Sequence, residues 1–312
     1  VLLNHIEVIL ETCTLTYIWA FISINEVAFT GESYMEYGKI DWNDIWKELM
    51  TNQQRLDKSG DKNGHWNKKE NAERFWKRTQ ENSEKTDSTL NELPLTPESR
   101  VLDIGSGPGR LAIPIAKKVS HVTAVEPAAG MMEILKENTK QQGIDNISCV
   151  SKRWEDIDVE NDIDAPYDVV IASFSLGMPD IKEAIQKMLQ ASSKYVYLYW
   201  FAGTTPWEEH SIALWPSLYG KNYVPGPKCD VLYNLLYNMG IYPDVHVFSM
   251  DYTNYFSSVD EAMDFYRDRY VIKTQEQESI LRDYLKGILV QENGQLVEKG
   301  NSTRVKISWE KK

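Results

Sequence analysis

The stretch Val101-Leu102-Asp103-Ile104-Gly105-Ser106-Gly107-Pro108-Gly109-Arg110 sets an acid and three glycines around one turn. Glycines at this spacing allow a tight bend and let backbone N–H groups come close to a ligand, with a helix N-terminus behind them. A short apolar strand, Val101 to Ile104, enters the loop, and a helical pattern, Leu111 to Lys118, leaves it. Glu126 ends the next strand, His121 to Val125, where a carboxylate can accept hydrogen bonds from both hydroxyls of a ribose. A glycine loop by itself is compatible with a plain strand-to-helix turn. Strand, loop, helix and acid in that order point to a nucleoside ligand. A dinucleotide fingerprint needs a small residue at position 110, and Arg110 breaks it.

The elements that hold these residues alternate in type. After the helix Gly130 to Gln142 come strands at Ile147 to Val150 and Tyr167 to Ala172, a helix from Asp180 to Ala191, and a strand from Tyr195 to Phe201. Repeated βα units imply an α/β fold with a parallel sheet covered by helices on both faces. Asp180 is placed to cap its helix. Further on, Asp230 to Met239 reads as helix, Asp244 to Met250 as strand and Ser258 to Leu289 as mostly helix. Gln295 to Trp309 reads as a hairpin turning at Gly300-Asn301. Upstream, Ile40 to Met50 and Trp66 to Lys77 carry helical periodicity, and Pro94 and Pro97 mark the boundary before the core.

From Val101 to Phe201 the chain resembles the class I S-adenosylmethionine-dependent methyltransferases. The resemblance rests on the DxGxGxG pattern of Asp103, Gly105, Gly107 and Gly109, and on Val125-Glu126-Pro127 followed by Met131 and Met132. It implies a Rossmann-like, doubly wound, mostly parallel seven-stranded sheet with an antiparallel last strand, supplied by the strand at 244 and the C-terminal hairpin. It also implies S-adenosyl-L-methionine as cofactor and S-adenosyl-L-homocysteine as product. By the same resemblance Asp103, Gly105, Ser106, Gly107 and Gly109 lie beneath the methionyl part. Glu126 holds the ribose, and Pro127 and Met131 lie near adenine, though Met131 and Met132 suit a helix core equally well. The family commonly has an Asp after the third strand; here Arg153 stands there, which shifts the adenine contact to Trp154 and Glu155. Ser173, at the end of the fourth strand, faces cofactor and substrate.

The methyl acceptor is approached through what is missing. The fourth strand is followed by Ser173-Phe174-Ser175-Leu176 rather than the Asn/Asp-Pro-Pro-aromatic sequence of enzymes acting on adenine or glutamine amino groups. There is no Pro-Cys nucleophile and no acidic trio for magnesium. The core is most similar to the small-molecule, quinone-biosynthesis-like type 11 group. Aromatic residues concentrate between Tyr195 and Tyr242. Tyr195, Tyr197, Tyr199 and Phe201 share a strand face and leave Trp200 on the other. Leu176, Trp200, Phe201, Trp215 and Tyr219 are candidate substrate contacts, and Trp66 and Phe75 candidate parts of a lid that excludes water. His210 is the most attractive base, although a single His in an aromatic segment is more often a structural hydrogen-bonder. No metal site is expected. Cys13, Cys149 and Cys229 form neither a disulfide framework nor a zinc motif.

This reading divides the chain into an N-terminal appendage at 1–38, a helical lid at 39–95 and a methyltransferase core at 96–312, with substrate-side insertions at about 202–242 and 258–292. The first segment opens on Val and is broken by Glu7, Glu11 and Glu26. It is too short in apolar run for a membrane span and lacks the basic start of a signal peptide, and the functional start is expected near Met35. A net charge of −12 argues against a broad phosphate-binding surface, hence against nucleic acid as partner. A cytoplasmic enzyme acting on a small molecule is the expectation. The alternatives are a protein or tRNA methyltransferase, or a non-catalytic cofactor-binding module of the same fold.

Overall fold

The computed structural model describes residues 40–54, 64–81, 83–267 and 269–311. The N-terminal appendage and the expected start at Met35 lie outside the described residues. Four helices, α1 (Trp42–Gln54), α2 (Gly64–Asn67), α3 (Lys69–Glu81) and α4 (Ser83–Asn91), precede the sheet. The βα run follows as β1 (Arg100–Ile104), α5 (Ala112–Ala116), β2 (His121–Val125), α6 (Ala129–Gln141), β3 (Ile147–Val150), β4 (Tyr167–Ser173), α7 (Ile181–Ala191) and β5 (Ser192–Phe201). The last part holds α8 (Pro206–Tyr219), α9 (Cys229–Asn238), β6 (Asp244–Phe256), α10 (Val259–Arg267), α11 (Gln275–Ile288), β7 (Val290–Glu292) and β8 (Gln295–Glu310).

The strands form one eight-stranded sheet in the order β3-β2-β1-β4-β5-β8-β6, with β7 also on β8. Strands β1 to β5 are parallel, and β8 is antiparallel to β5, β6 and β7. This is the Rossmann-like arrangement expected, with one strand more. Parallel strands buried on both faces need apolar residues at every position, and period-2 alternation then divides them between two cores. Leu102, Ile104, Val170 and Ala172 face a core containing Trp46, Trp154 and Ile181; Val101, Val169 and Ile171 face one containing Ile113, Leu135 and Tyr199. Trp46 is fully buried and donates its indole N–H to the Met178 carbonyl at 2.9 Å, so α1 is part of the core rather than a loose cover. Asp180 caps α7 by accepting from the Glu183 N–H at 3.0 Å, as its position suggested.

The C-terminal hairpin turns elsewhere than at Gly300-Asn301. β8 runs unbroken through both residues, which pair with Tyr252 and Asp251 on β6. A Cβ on Gly300 would lie 2.7 Å from the Pro206 ring, so glycine is there for close approach of α8 and not for a bend. The turn is Asn293-Gly294, with φ of 47° and 81°, the left-handed pair that a tight hairpin between β7 and β8 requires. A third core, made by α8, α10 and α11 around Leu214, Tyr266 and Leu281, draws on both stretches 202–242 and 258–292, while α9 packs on the first core through Leu232 and Leu236. Among the described residues no helix is long and apolar enough to cross a membrane.

Candidate active site

The chain order reverses between β1 and β4, which makes the C-terminal ends of these neighbouring strands the natural ligand crevice of an open α/β sheet. The glycine loop leaves β1 at that point. Its first turn is tied to β2 by the Gly105 and Ser106 N–H groups, which donate to the Val125 carbonyl at 2.8 and 3.1 Å. A side chain at Gly105 would meet the Ser175 Cβ at 2.3 Å, and one at Gly109 would meet Leu135 and Ile113. Gly107 differs: its φ is 56° and nothing lies within 4 Å of where a Cβ would stand. The left-handed backbone and the open side leave room for a ligand against the loop.

Glu126 closes the loop from the side. One carboxylate oxygen accepts from the Gly107 N–H at 2.9 Å and the other from the Ala128 N–H at 2.8 Å, which leaves each oxygen with lone-pair capacity for a further donor. Burial raises its pKa, and the two backbone N–H groups work against that rise. Asp103 is almost fully buried one strand away. Burial pushes its carboxyl up to about 7, helped by the Glu126 charge and opposed by Arg110 and the Ala112 N–H. Its Oδ2 and the buried Ser106 hydroxyl have no hydrogen-bond partner among the described residues. Such orphaned polar atoms beside an open glycine fit a polar ligand lying along the loop, as a methionyl-nucleoside would.

On the other side of the crevice the ends of β4 and β5 and the middle of β8 bring together Ser173, Phe174, Phe201 and Arg304, with Trp207 from α8. Arg110, directly after the glycine loop, donates to the Ser173 hydroxyl at 2.7 Å. Phe174 and Phe201 have ring centres 5.3 Å apart, and Trp207 meets Phe201 edge-on at 5.5 Å. The Arg304 guanidinium lies 4.5 Å from the Phe174 ring centre, 5.6 Å from that of Phe201 and 6.0 Å from that of Trp207. All five residues are half-buried.

Of the residues singled out from sequence, Asp103, Gly105, Ser106, Gly107, Gly109, Glu126 and Ser173 come together here, and Phe201 joins the aromatic side. Met131 is buried beside Ala128 with Phe75 packed on the same cluster, and Trp66 meets Phe75 at 5.5 Å. Trp66 and Phe75 therefore stand by the helix that follows Glu126, not by the β4–β5 end. The Trp154 ring lies in the core and its N–H is taken by the Ala184 carbonyl at 3.0 Å; the Glu155 carbonyl accepts from Lys187. Leu176 and Trp200 are core residues too, Trp200 bonding the Pro227 carbonyl. Trp215 and Tyr219 belong to the third core. The structure takes His210 out of the crevice: its ring nitrogens meet Tyr284 Oη at 2.8 Å and Glu298 Oε1 at 2.5 Å. Burial acts to raise the Glu298 carboxyl, but bonds from His210, Tyr266 and Asn254 outweigh it and hold it low. Arg110, Phe174 and Arg304 were not among the sequence candidates, while Trp207 opens the segment 207–223 expected to wall the substrate.

A family model described as a methyltransferase domain matches residues 101–194. An uncharacterised protein of Haemophilus influenzae is 30% identical over 155 residues, 49% of this chain and 54% of that protein. A protein-L-isoaspartate O-methyltransferase of Protochlamydia amoebophila is 30% identical over 106 residues, 33% of this chain and 46% of that one. The chain thus spans about half the length of the curated relatives it matches. A solved structure from Bacillus halodurans, assigned as a methyltransferase, superposes with a TM-score of 0.52 at 14% identity, covering 72% of this chain and 97% of that one, which is a likeness of fold. Residues 101–194 thus match a methyltransferase domain, and the acid-glycine loop of β1, the acid after β2 and the antiparallel β8 stand in a fold like that of the Bacillus halodurans structure.

Proposed function

We propose that the protein transfers a methyl group from S-adenosyl-L-methionine to a small-molecule acceptor held at the ends of β4 and β5, against the middle of β8. The observation that carries this reading is a juxtaposition: an open glycine loop braced by Glu126 is joined, through the Arg110–Ser173 bond, to a cluster of half-buried rings. The cofactor supplies a methyl group already activated on a sulfonium, so the protein's part is alignment and exclusion of water. In this reading Glu126 receives the ribose hydroxyls, and the backbone of Gly105 to Gly109 with Asp103 and Ser106 receives the methionyl end. Met131, Phe75 and Trp66 cover the adenine side, with Pro127 at the start of that wall. Phe174, Phe201 and Trp207 form the wall against which the acceptor lies and keep bulk water from its nucleophilic atom. Helices α2 and α3 act as the lid over the cofactor side, while the third core supports the acceptor side. The buried pairing of His210 with Glu298 suits a structural role, and no protein base is assigned.

Titration calorimetry with S-adenosylhomocysteine tests the reading. Binding is expected for the wild type, with a loss of at least about tenfold in Glu126→Ala, as removal of a charge-assisted hydrogen bond implies. Absence of binding by folded protein overturns it. A metabolite screen read by S-adenosylhomocysteine release then identifies the acceptor.

A further inference from the structure

The acceptor recess contains a charge that neither the fold nor cofactor binding explains. Arg304 Nε donates to the Ser302 hydroxyl at 2.9 Å, and the other guanidinium nitrogens have no hydrogen-bond partner among the described residues. No carboxylate of those residues lies within ion-pair distance of it. Glu92, which reaches the β5–β8 pair from the segment before β1, is engaged by Lys306 at 2.9 Å and by the Tyr199 hydroxyl. Arg110 shares the recess and likewise has no ion pair among the described residues, its Nη2 going to the neutral Ser173 hydroxyl. Burial, with the Arg110 charge added, pushes the Arg304 guanidinium down to about 10, so two cations lie close enough to oppose each other. The one acid coupled to Arg110, Asp103, is itself pushed up to about 7. Three aromatic faces attract the Arg304 cation but offer it no hydrogen-bond acceptor. A half-buried guanidinium with free donors among flat rings matches a planar anion that takes two parallel N–H bonds.

We propose that Arg304, with Arg110 behind it, is the specificity residue of the recess and selects an acceptor that carries a carboxylate on a flat, apolar body. The proposal rests on the methyltransferase reading above. The cofactor has a carboxylate of its own, but the Arg304 backbone stands opposite Phe201 and its guanidinium lies against the Phe174, Phe201 and Trp207 rings, with no bond to the glycine loop. That places it at the acceptor end of the crevice.

Matched probes separate the sources. Benzoate against benzamide, and indole-3-acetate against indole-3-acetamide, are titrated into the full chain with saturating S-adenosylhomocysteine, in wild type, Arg304→Met and Arg304→Lys. Methionine keeps the length that packs on the rings; lysine keeps the charge. Thermal melts confirm that each variant is folded. In the wild type at least one carboxylate is expected to bind about ten- to a hundredfold more tightly than its amide, the effect of a charge-assisted pair of hydrogen bonds. The preference is expected to vanish in Arg304→Met and to survive, reduced, in Arg304→Lys, with S-adenosylhomocysteine affinity unchanged in both. Equal binding of carboxylate and amide by the wild type overturns the proposal, as does a preference that persists in Arg304→Met. Lost S-adenosylhomocysteine affinity in Arg304→Met also overturns it, because the arginine then holds the cofactor's carboxylate. A wild type that does not bind S-adenosylhomocysteine refutes the methyltransferase reading instead, and the same probe pairs without it then judge the anion site by itself.

Discussion

Asp103 should make the protein less stable as the pH rises toward neutrality, and Asp103→Asn should remove that dependence. The buried carboxyl has its pKa raised from 3.8 to about 7, with burial the largest cause. A raised folded pKa means that the neutral acid is the form the fold prefers. Its stabilisation is complete below the unfolded value and is lost as pH climbs through about 7. A shift of this size corresponds to about 4 kcal/mol between the two limits, at 1.36 kcal/mol per unit. Across an accessible window of roughly pH 5.5 to 8.5, about 2 kcal/mol of it develops. Asparagine is nearly isosteric, and its carbonyl can still accept from the Ala112 N–H. It never ionises, so the variant should gain about 2 kcal/mol relative to wild type over that window. Urea unfolding of both proteins at several pH values, without cofactor, measures the difference. A constant gap between the two curves refutes the reasoning. The gain is expected to accompany weaker S-adenosylhomocysteine binding, since an ionisable group held at such a cost is typical of a working site.

Gly105→Ala should destabilise by roughly 2–4 kcal/mol in thermal unfolding, from the overlap with Ser175 and the left-handed backbone together. Gly107→Ala meets no such overlap and should cost only about 1–2 kcal/mol of stability. Its S-adenosylhomocysteine affinity, read by calorimetry, should nevertheless fall, because the added methyl fills the open side of the loop. His210→Ala should lower unfolding stability by about 2–3 kcal/mol by leaving the buried Glu298 short of a donor, with S-adenosylhomocysteine affinity unaltered. Trp46→Phe removes the bond to the Met178 carbonyl and should cost about 1–2 kcal/mol in the same measurement.

The cofactor half of the crevice was legible because its signals are local. Asp103, the glycines and Glu126 stand within one strand-loop-helix-strand unit, and the parallel strands around them are continuous apolar runs. The acceptor half was not legible in that way. Phe174, Phe201 with the nearby Trp207, and Arg304 come from three separated stretches that the β4–β5 and β5–β8 pairings bring together, and of these only Phe201 was singled out from sequence. His210 drew attention by residue type, while the acid that occupies it lies 88 positions away. The hairpin was misplaced for a related reason. Gly300-Asn301 looks like a turn in isolation, yet Asn293-Gly294 is the dipeptide with the proper handedness, and it follows directly on a long helical pattern that obscured it.

Strand β8 divides responsibility within the molecule. The family model ends at residue 194, inside β5, whereas Arg304 lies on the strand that closes the sheet beyond it. The same strand carries Glu298, which anchors the third core, on the same face six residues earlier, a span of about 20 Å of rigid extended backbone. On the proposed reading, the β5–β8 junction is where residues beyond the matched domain, Arg304 above all, join Phe174 and Phe201 in the acceptor wall. A chimera that exchanges everything after β5 would keep Glu126 and the glycine loop, retain Phe174 and Phe201, and take from the donor whatever replaces Trp207 and Arg304 beside them.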